Sequence, residues 1–309
     1  SFYLSMLGEH YLHKQAYDRS KHFYLKAFEY NSATNNTVKL AENLNNLGVL
    51  YFRIGSLDSS IYFYDKAFSE YQALKDTAMI TILEINLGML YKDKGLYEKS
   101  LEYLLNASAK LEKKDPSEYL ALCYNSIGNV YSKIGELYSS LLYHNKSVEV
   151  KKKFGSPKSL SSSYNNIGNV YLLLKQYDSA INNFHRSLQI KRQHDDKAGQ
   201  GTSLNNMGEL MVKMGRLREA EKLLKEALVI RLSTDDKVGQ AITRKNIAQV
   251  YLLTDDLDAA ERELKKSEEL ATQMGLLEQL KEIYETQVML FKQKRNPDKA
   301  LEYSQQLLI

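Results

Sequence analysis

Apolar and aromatic residues recur at spacings of three and four along the chain, which is the spacing of one buried face on an α-helix. One such run consists of Tyr164, Ile167, Val170, Tyr171 and Leu174. No stretch alternates apolar and polar residues in the way that a half-buried strand does. The pattern therefore predicts an all-α protein.

The helical runs repeat every 40 residues over the 309 residues of the chain. We number the positions within each repeat so that Ser1 and Ala41 both stand at position 1. Position 8 is glycine in six repeats, position 11 is tyrosine in six, and position 20 is serine or alanine in all eight. The units are residues 1–40, 41–80, 81–120, 121–160, 161–200, 201–240, 241–280 and 281–309.

Each unit is predicted to contain two helices. The break between them falls at a glycine in four units, and glycine tolerates the left-handed conformation that ends a helix: Gly55, Gly95, Gly135 and Gly215. Short polar stretches suited to capping the next helix lie between units: Asp76-Thr77, Asp115-Pro116-Ser117, Ser156-Pro157, Asp195-Asp196 and Asp235-Asp236. The small residues at positions 8 and 20 predict a close approach of the two helices, and most tyrosines are expected to fill the space beside it.

The recurring residues resemble the tetratricopeptide repeat (TPR) pattern over the whole chain. They are glycine at position 8, tyrosine at 11, alanine or serine at 20, tyrosine or phenylalanine at 24 and alanine at 27. The unit is longer than the usual length of about 34 residues, and the family's proline at position 32 is absent. The resemblance implies a right-handed α-solenoid of eight antiparallel helix-turn-helix units, forming a single domain over 1–309. Similar long units occur in Pins-type scaffolds and in bacterial repeat domains attached to sensor kinases or transcription regulators.

The amino-acid composition excludes only a few classes of function. A net charge of +4 is too weak a bias to predict nucleic-acid binding. Cys123 is the only cysteine, so there is no internal disulfide, and we expect it to be buried. No apolar run approaches the length of a membrane span. We expect the chain to be a segment of a longer protein, whose compartment, periplasmic or cytoplasmic, stays open.

The residues offer little catalytic chemistry. His10 and His13 lie near Glu9, but no further ligand converges on them. His144 stands at position 24, which is tyrosine, phenylalanine or leucine in six of the other repeats, so we expect it to be packed. A nucleophile with its base, or a glycine-rich phosphate loop, cannot be assembled. We therefore predict no catalytic residue, no metal site and no cofactor in this chain, and no enzyme activity.

The resemblance implies that the first helix of each unit lines the concave face, with positions 5, 9, 12 and 13 among those that contact a ligand. Residues four apart face the same way on a helix, so Asn165 and Asn169 should point together. An amide offers both a donor and an acceptor, which suits a peptide main chain. The candidate groove residues are Asn45, Asn125, Asn129, Asn165, Asn169, Asn205, Glu209, Arg53, Lys92, Lys133, Lys213 and Leu172. A structural role is the alternative for the asparagines, and it is the one we expect at position 6, which includes Asn206.

These features predict a protein-interaction module that holds an extended peptide or helix of a partner. We favour the sensory or regulatory segment of a bacterial signalling protein, either a two-component sensor kinase or a transcription regulator. The alternatives are a standalone cytoplasmic scaffold of the Pins type and a self-assembling module. A homodimer could form through a terminal repeat, because Val288 replaces the glycine there.

Overall fold

The computed structural model describes residues 1–114 and 116–307. These residues form sixteen α-helices and no strand, which confirms the all-α prediction. In this part of the chain, none of the helices is both long and apolar enough to cross a bilayer. The helices are α1 (Phe2–His13), α2 (Tyr17–Ala33), α3 (Thr37–Ile54), α4 (Leu57–Ala73), α5 (Thr77–Asp93), α6 (Tyr97–Leu111), α7 (Glu118–Lys133), α8 (Leu137–Phe154), α9 (Pro157–Leu173), α10 (Tyr177–Gln193), α11 (Lys197–Lys213), α12 (Leu217–Ser233), α13 (Lys237–Leu253), α14 (Leu257–Gln273), α15 (Leu277–Gln293) and α16 (Pro297–Gln306).

The chain divides into two compact units, Ser1–Phe154 with α1 to α8 and Gly155–Ile309 with α9 to α16. Within each unit, every odd-numbered helix pairs with the even-numbered helix that follows it, and the hairpins stack in sequence order. The predicted solenoid-like arrangement of helix-turn-helix repeats is therefore confirmed. A single domain over 1–309 stays a prediction.

The helices end where the sequence predicted. Glycine takes a left-handed conformation between the two helices of four hairpins, with φ of +86° at Gly55 and +76° at Gly95, for example. The predicted caps also form, since the side chains of Asp76, Ser117 and Ser156 accept hydrogen bonds from backbone N–H groups of the helices that follow them. Asp196 and Asp236 do the same for α11 and α13. Asp115 lies outside the described residues.

The two helices of a hairpin approach closely at the position-8 glycine. The hydroxyl of Ser60 donates to the carbonyl of Gly48 at 2.8 Å. A Cβ atom on Gly48 would lie only 2.5 Å from Cδ1 of Tyr64, whose ring is buried against the glycine. The prediction of a close contact between small residues, with an aromatic ring filling the space beside it, is confirmed.

Two side chains that could have carried chemistry are instead packed in the core, as predicted. His144 is 1% exposed, and burial lowers its pKa to about 4, with the charge of Lys151 acting in the same direction. Cys123 is fully buried, its thiol donates to the carbonyl of Leu104 at 3.0 Å, and burial raises its pKa to about 12.

The odd-numbered helices come close to one another within each unit. Contacts join α5 with α7 in the first unit, and α9 with α11, α11 with α13 and α13 with α15 in the second. Within each unit, these helices therefore lie on the side where successive repeats approach most closely. The resemblance to the tetratricopeptide repeat implied that these same helices contact the ligand.

Candidate peptide-binding groove

A cavity of about 420 Å³ opens between α9, α10 and α11 in the second unit. Its lining combines amides, aliphatic side chains, one tyrosine and charges of both signs: Asn169, Leu172, Leu173, Lys175, Tyr177, Asn206, Glu209 and Lys213. Four predicted groove residues are thus brought together at one place, namely Asn169, Leu172, Glu209 and Lys213. We call this the second-unit cavity.

An equivalent cavity of about 430 Å³ lies between α1, α2 and α3 in the first unit. It is lined by Glu9, Leu12, His13, Gln15, Tyr17, Tyr24, Asn46, Val49 and Arg53. Apart from Tyr24, these residues occupy the same repeat positions as the lining of the second-unit cavity. The predicted groove residue Arg53 corresponds to Lys213. The repeat geometry therefore produces the same concave site in both units.

A pair of amides forms part of the wall of the second-unit cavity. Nδ2 of Asn206 donates to Oδ1 of Asn169 at 3.1 Å and to Oδ1 of Asn165 at 3.2 Å. Asn169 and Asn206 are half-buried. Because the Asn169 carbonyl accepts this bond, its amide nitrogen remains to donate, while the Asn206 carbonyl remains to accept. One donor beside one acceptor is the complement of a peptide group.

The structure corrects the expectation that Asn165 and Asn205 face an open groove. Their exposed fractions are 7% and 4%. The carbonyl of Asn205 accepts from Oγ1 of Thr243 at 3.1 Å and from Nδ2 of Asn246 at 3.2 Å. The carbonyl of Asn165 accepts from Asn206 in the same way. Asn165 and Asn205 therefore join one repeat to the next, since a buried amide is stable only when it is hydrogen-bonded.

These asparagines belong to a buried polar network that recurs between repeats. Nζ of Lys191 donates to Oγ of Ser203 at 2.9 Å, and that hydroxyl lies 3.4 Å from Oδ1 of Asn165. One repeat later, Nη1 of Arg231 donates to Oγ1 of Thr243 at 2.8 Å, and Thr243 donates to Asn205. Burial lowers the pKa of Lys191 to about 8, and the carboxylate of Asp196 partly offsets this.

The first unit contains the same network built from other side chains. Asn31 donates to Asn43, whose Nδ2 in turn donates to Oγ of Ser5 at 2.9 Å. The positions are those of Lys191, Ser203 and Asn165, so the network is a property of the repeat and not of one residue type.

The other candidate residues are not gathered in these two cavities. Three asparagines are half-buried on odd-numbered helices: Asn45, Asn125 and Asn129. Lys133 is exposed at the end of α7, and Lys92 forms an ion pair with its neighbour Asp93 at 2.8 Å. A role for these residues in ligand binding stays a prediction.

Models of the tetratricopeptide repeat match residues 159–233, 202–273 and 85–108. These stretches of the chain are tetratricopeptide repeats, as the resemblance implied. No curated protein matches this TPR chain. The matched stretches include the lining of the second-unit cavity and the network around Asn165 and Asn205.

Several solved structures are similar to this TPR protein. The apo form of RapI is 17% identical, with a TM-score of 0.71 over 87% of this chain and 96% of that one. A Rap protein complexed with competence and sporulation factor is 14% identical, with a TM-score of 0.70 over 94% and 82%. Aspartyl phosphate phosphatase F from Bacillus subtilis is 16% identical, with a TM-score of 0.68 over 98% and 82%. At these identities the likeness shows the fold alone.

The residues at two repeat positions, 6 and 17, line the groove but were not predicted from the sequence to do so. Asn206 was expected to have a structural role only. It does bond Asn165 and Asn169, but it also lines the cavity. Tyr17 and Tyr177 were counted as scaffold, although both line cavities. A signal was present at position 17, which is tyrosine in three repeats and begins the second helix of the hairpin, next to the groove.

Proposed function

We propose that this TPR protein is a protein–protein interaction module that holds an extended peptide or helix of a partner against its odd-numbered helices. The family and the stacked hairpins support the general class. The observation that carries the finer proposal is the repetition of one cavity, with equivalent lining, in both units.

The chemistry of the lining fits a peptide. In the second-unit cavity, the amides of Asn169 and Asn206 can bond a main-chain group, Leu172 and Leu173 offer apolar surface, and Lys213 offers a cation. Each hydrogen bond contributes about 0.5–1.5 kcal/mol net. Amides alone would therefore bind weakly, and the apolar and charged side chains supply the rest of the affinity. Exposed Lys213 and its counterpart Arg53 favour a ligand with acidic side chains.

We further propose a regulatory role in a bacterial signalling protein. The likeness to a Rap protein complexed with competence and sporulation factor supports a regulator that binds a partner in this fold. A Pins-type scaffold is the alternative.

A second candidate function is self-association through the last hairpin. Leu277, Met289 and Leu301 expose 79%, 61% and 60% of their side chains there. Light scattering with and without residues 281–309 would separate a dimer from a monomer.

The groove is tested by selecting binders from a displayed library of random peptides against the immobilised protein. The affinity of each selected peptide is then measured for the wild type and for Lys213→Glu. The matched control is Lys222→Glu, which makes the same charge change at an exposed site on the even-numbered helix of the same repeat.

We expect acidic peptides that lose about tenfold or more in affinity with Lys213→Glu and are unaffected by Lys222→Glu, since a charged hydrogen bond contributes about 1.5–3 kcal/mol. Peptides that bind both variants as tightly as the wild type would place the ligand outside the groove and contradict the proposal.

A further inference from the structure

The last repeat breaks the apolar pattern at one buried position. Position 7 lies on the core face of the odd-numbered helices and is apolar in seven repeats: Leu7, Leu47, Leu87, Ile127, Ile167, Met207 and Ile247. In the eighth repeat it is Gln287, and this side chain is only 3% exposed. A buried amide at a core position destabilises the fold unless its polar atoms are bonded, so a single such exchange among eight repeats points to a local function.

The partner of Gln287 is unusual in the same way. Nε2 of Gln287 donates to Oε2 of Glu268 at 2.7 Å. Glu268 stands at position 28, which is mostly apolar in the other repeats: Phe28, Phe68, Val148, Leu188 and Leu228. Oε1 of Gln287 is buried and finds no donor in the described ranges, residues 1–114 and 116–307. The buried carbonyl oxygen of Gln287 is therefore an unsatisfied acceptor.

A cavity of about 440 Å³ lies beside this pair, between α14, α15 and α16. We call it the Gln287 cavity. Its lining consists of Glu261, Leu264, Lys265, Glu268, Glu269, Gln287, Leu290, Phe291, Lys299 and Tyr303. It is built from two even-numbered helices with one odd-numbered helix between them, so it is separate from the candidate peptide-binding groove.

The lining of the Gln287 cavity carries three carboxylates, Glu261, Glu268 and Glu269, against the two cations Lys265 and Lys299, and this balance favours a cationic ligand. Lys299 is engaged already, because its Nζ lies 3.6 Å from Glu261 and 4.7 Å from the centre of the Phe291 ring. The other two carboxylates of the lining belong to Glu268, which accepts from Gln287, and to Glu269. Tyr303 stacks on Phe291 with ring centres 5.5 Å apart and offers a flat apolar wall. Burial raises the pKa of Tyr303 to about 12, and the negative charges of Glu268 and Glu261 act in the same direction.

A metal ion does not fit this set of acceptors. Among the described residues, no group of three or more histidine, cysteine, aspartate or glutamate side chains is arranged to hold one. An organic cation that brings several N–H donors satisfies both an amide carbonyl and a carboxylate. A guanidinium group is planar, carries five N–H donors in a fixed fork and stacks on aromatic rings.

We propose that the Gln287 cavity binds a guanidinium group, with Gln287 Oε1 and Glu268 as the acceptors. The group comes either from an arginine side chain in a peptide or from a free small molecule. Both sources share the same recognition chemistry.

The probe is Nα-acetyl-arginine methylamide, titrated into the full chain and followed by ¹H–¹⁵N NMR at the side-chain amide of Gln287. The neutral citrulline analogue has the same shape without the charge. We expect saturable shifts of the Gln287 amide with the arginine probe, and affinity at least about tenfold lower for the citrulline probe. Equal binding of the two probes, or shifts that spare Gln287, would overturn the proposal.

Two variants test the acceptors. Gln287→Leu restores an apolar residue of the kind found in the other repeats, and Glu268→Gln removes one charge with little change of shape. Both should bind the arginine probe at least about tenfold more weakly. The control is Glu278→Gln, an exposed carboxylate on the same helix as Gln287 and outside the cavity, which should bind as the wild type does. Wild-type affinity in Glu268→Gln would contradict the assignment even if Gln287→Leu failed to fold.

The source of the group is decided by comparing free arginine with the same residue inside short peptides. Tighter binding of peptides identifies a polypeptide partner, and tighter binding of free arginine identifies a small molecule. Absence of binding by either would overturn the proposal.

Discussion

Replacing Asn205 by alanine tests whether position 5 joins repeats or contacts ligand. Asn205 is 4% exposed and accepts two hydrogen bonds from the following repeat, one from Thr243 and one from Asn246. Thr243 is fully buried and Asn246 is 4% exposed, so water cannot readily replace the lost acceptor. The substitution leaves two buried donors without their partner.

The size of the effect follows from those two donors. Leaving a buried polar group unsatisfied costs about 1–3 kcal/mol. Alanine is a better helix former than asparagine by at most about 0.7 kcal/mol, which offsets a small part. We expect Asn205→Ala to lower the free energy of unfolding by about 2–4 kcal/mol. Because each repeat contacts only its neighbours, the loss falls on the contact between α11 and α13.

The free energy is measured by urea unfolding followed by circular dichroism. The control is Asn182→Ala, the same exchange at an exposed position inside α10, where we expect a change within about 0.5 kcal/mol. If Asn205→Ala unfolds as easily as the control and instead abolishes peptide binding, the structural role is refuted and the groove role returns.

Three further predictions concern the core. Gly48→Ala should destabilise by about 1–3 kcal/mol in urea unfolding, because the new Cβ meets the Tyr64 ring; unchanged stability would show that the helices can separate there. His144 has a pKa near 6.5 when unfolded and about 4 when folded, so its stabilising effect is complete above about pH 6.5 and is lost as pH falls towards 4, by at most about 3 kcal/mol. His144→Phe, which copies Phe184 at the same position, should remove that part of the pH dependence of unfolding. Cys123 should react with a thiol reagent only as fast as the chain opens, and rapid reaction of the folded protein would contradict its burial.

The sequence alone predicts the fold well because each local feature, weak by itself, recurs at the same position in several repeats. Gly55 alone would be a weak indication of a helix end, but glycine recurs at that position and the structure has the left-handed turn there. Gly48 predicts a close helix contact for the same reason. These features depend only on contacts between residues of one hairpin. Because those residues recur together in successive repeats, the contacts can be predicted from the sequence.

The site is harder to predict because its side chains are shared between repeats. Asn165 and Asn169 stand on one helix face, yet only Asn169 lines the cavity, while Asn165 is covered by the next repeat. Asn206 approaches from that next repeat and bonds both. The spacing within one helix determines which way a side chain points. Whether that side chain is buried depends on the rotation between adjacent hairpins, which the periodicity of the sequence does not specify.

Cross-linking tests most directly whether the odd-numbered helices of this protein hold its peptide ligand, as we propose. A photoreactive amino acid is placed at Leu173, which is 57% exposed in the second-unit cavity, and separately at Val229, which is 65% exposed on the even-numbered helix α12. We expect a peptide selected from the library to become cross-linked to the chain substituted at 173 and not to the one substituted at 229. Cross-linking at 229 with none at 173 would contradict it.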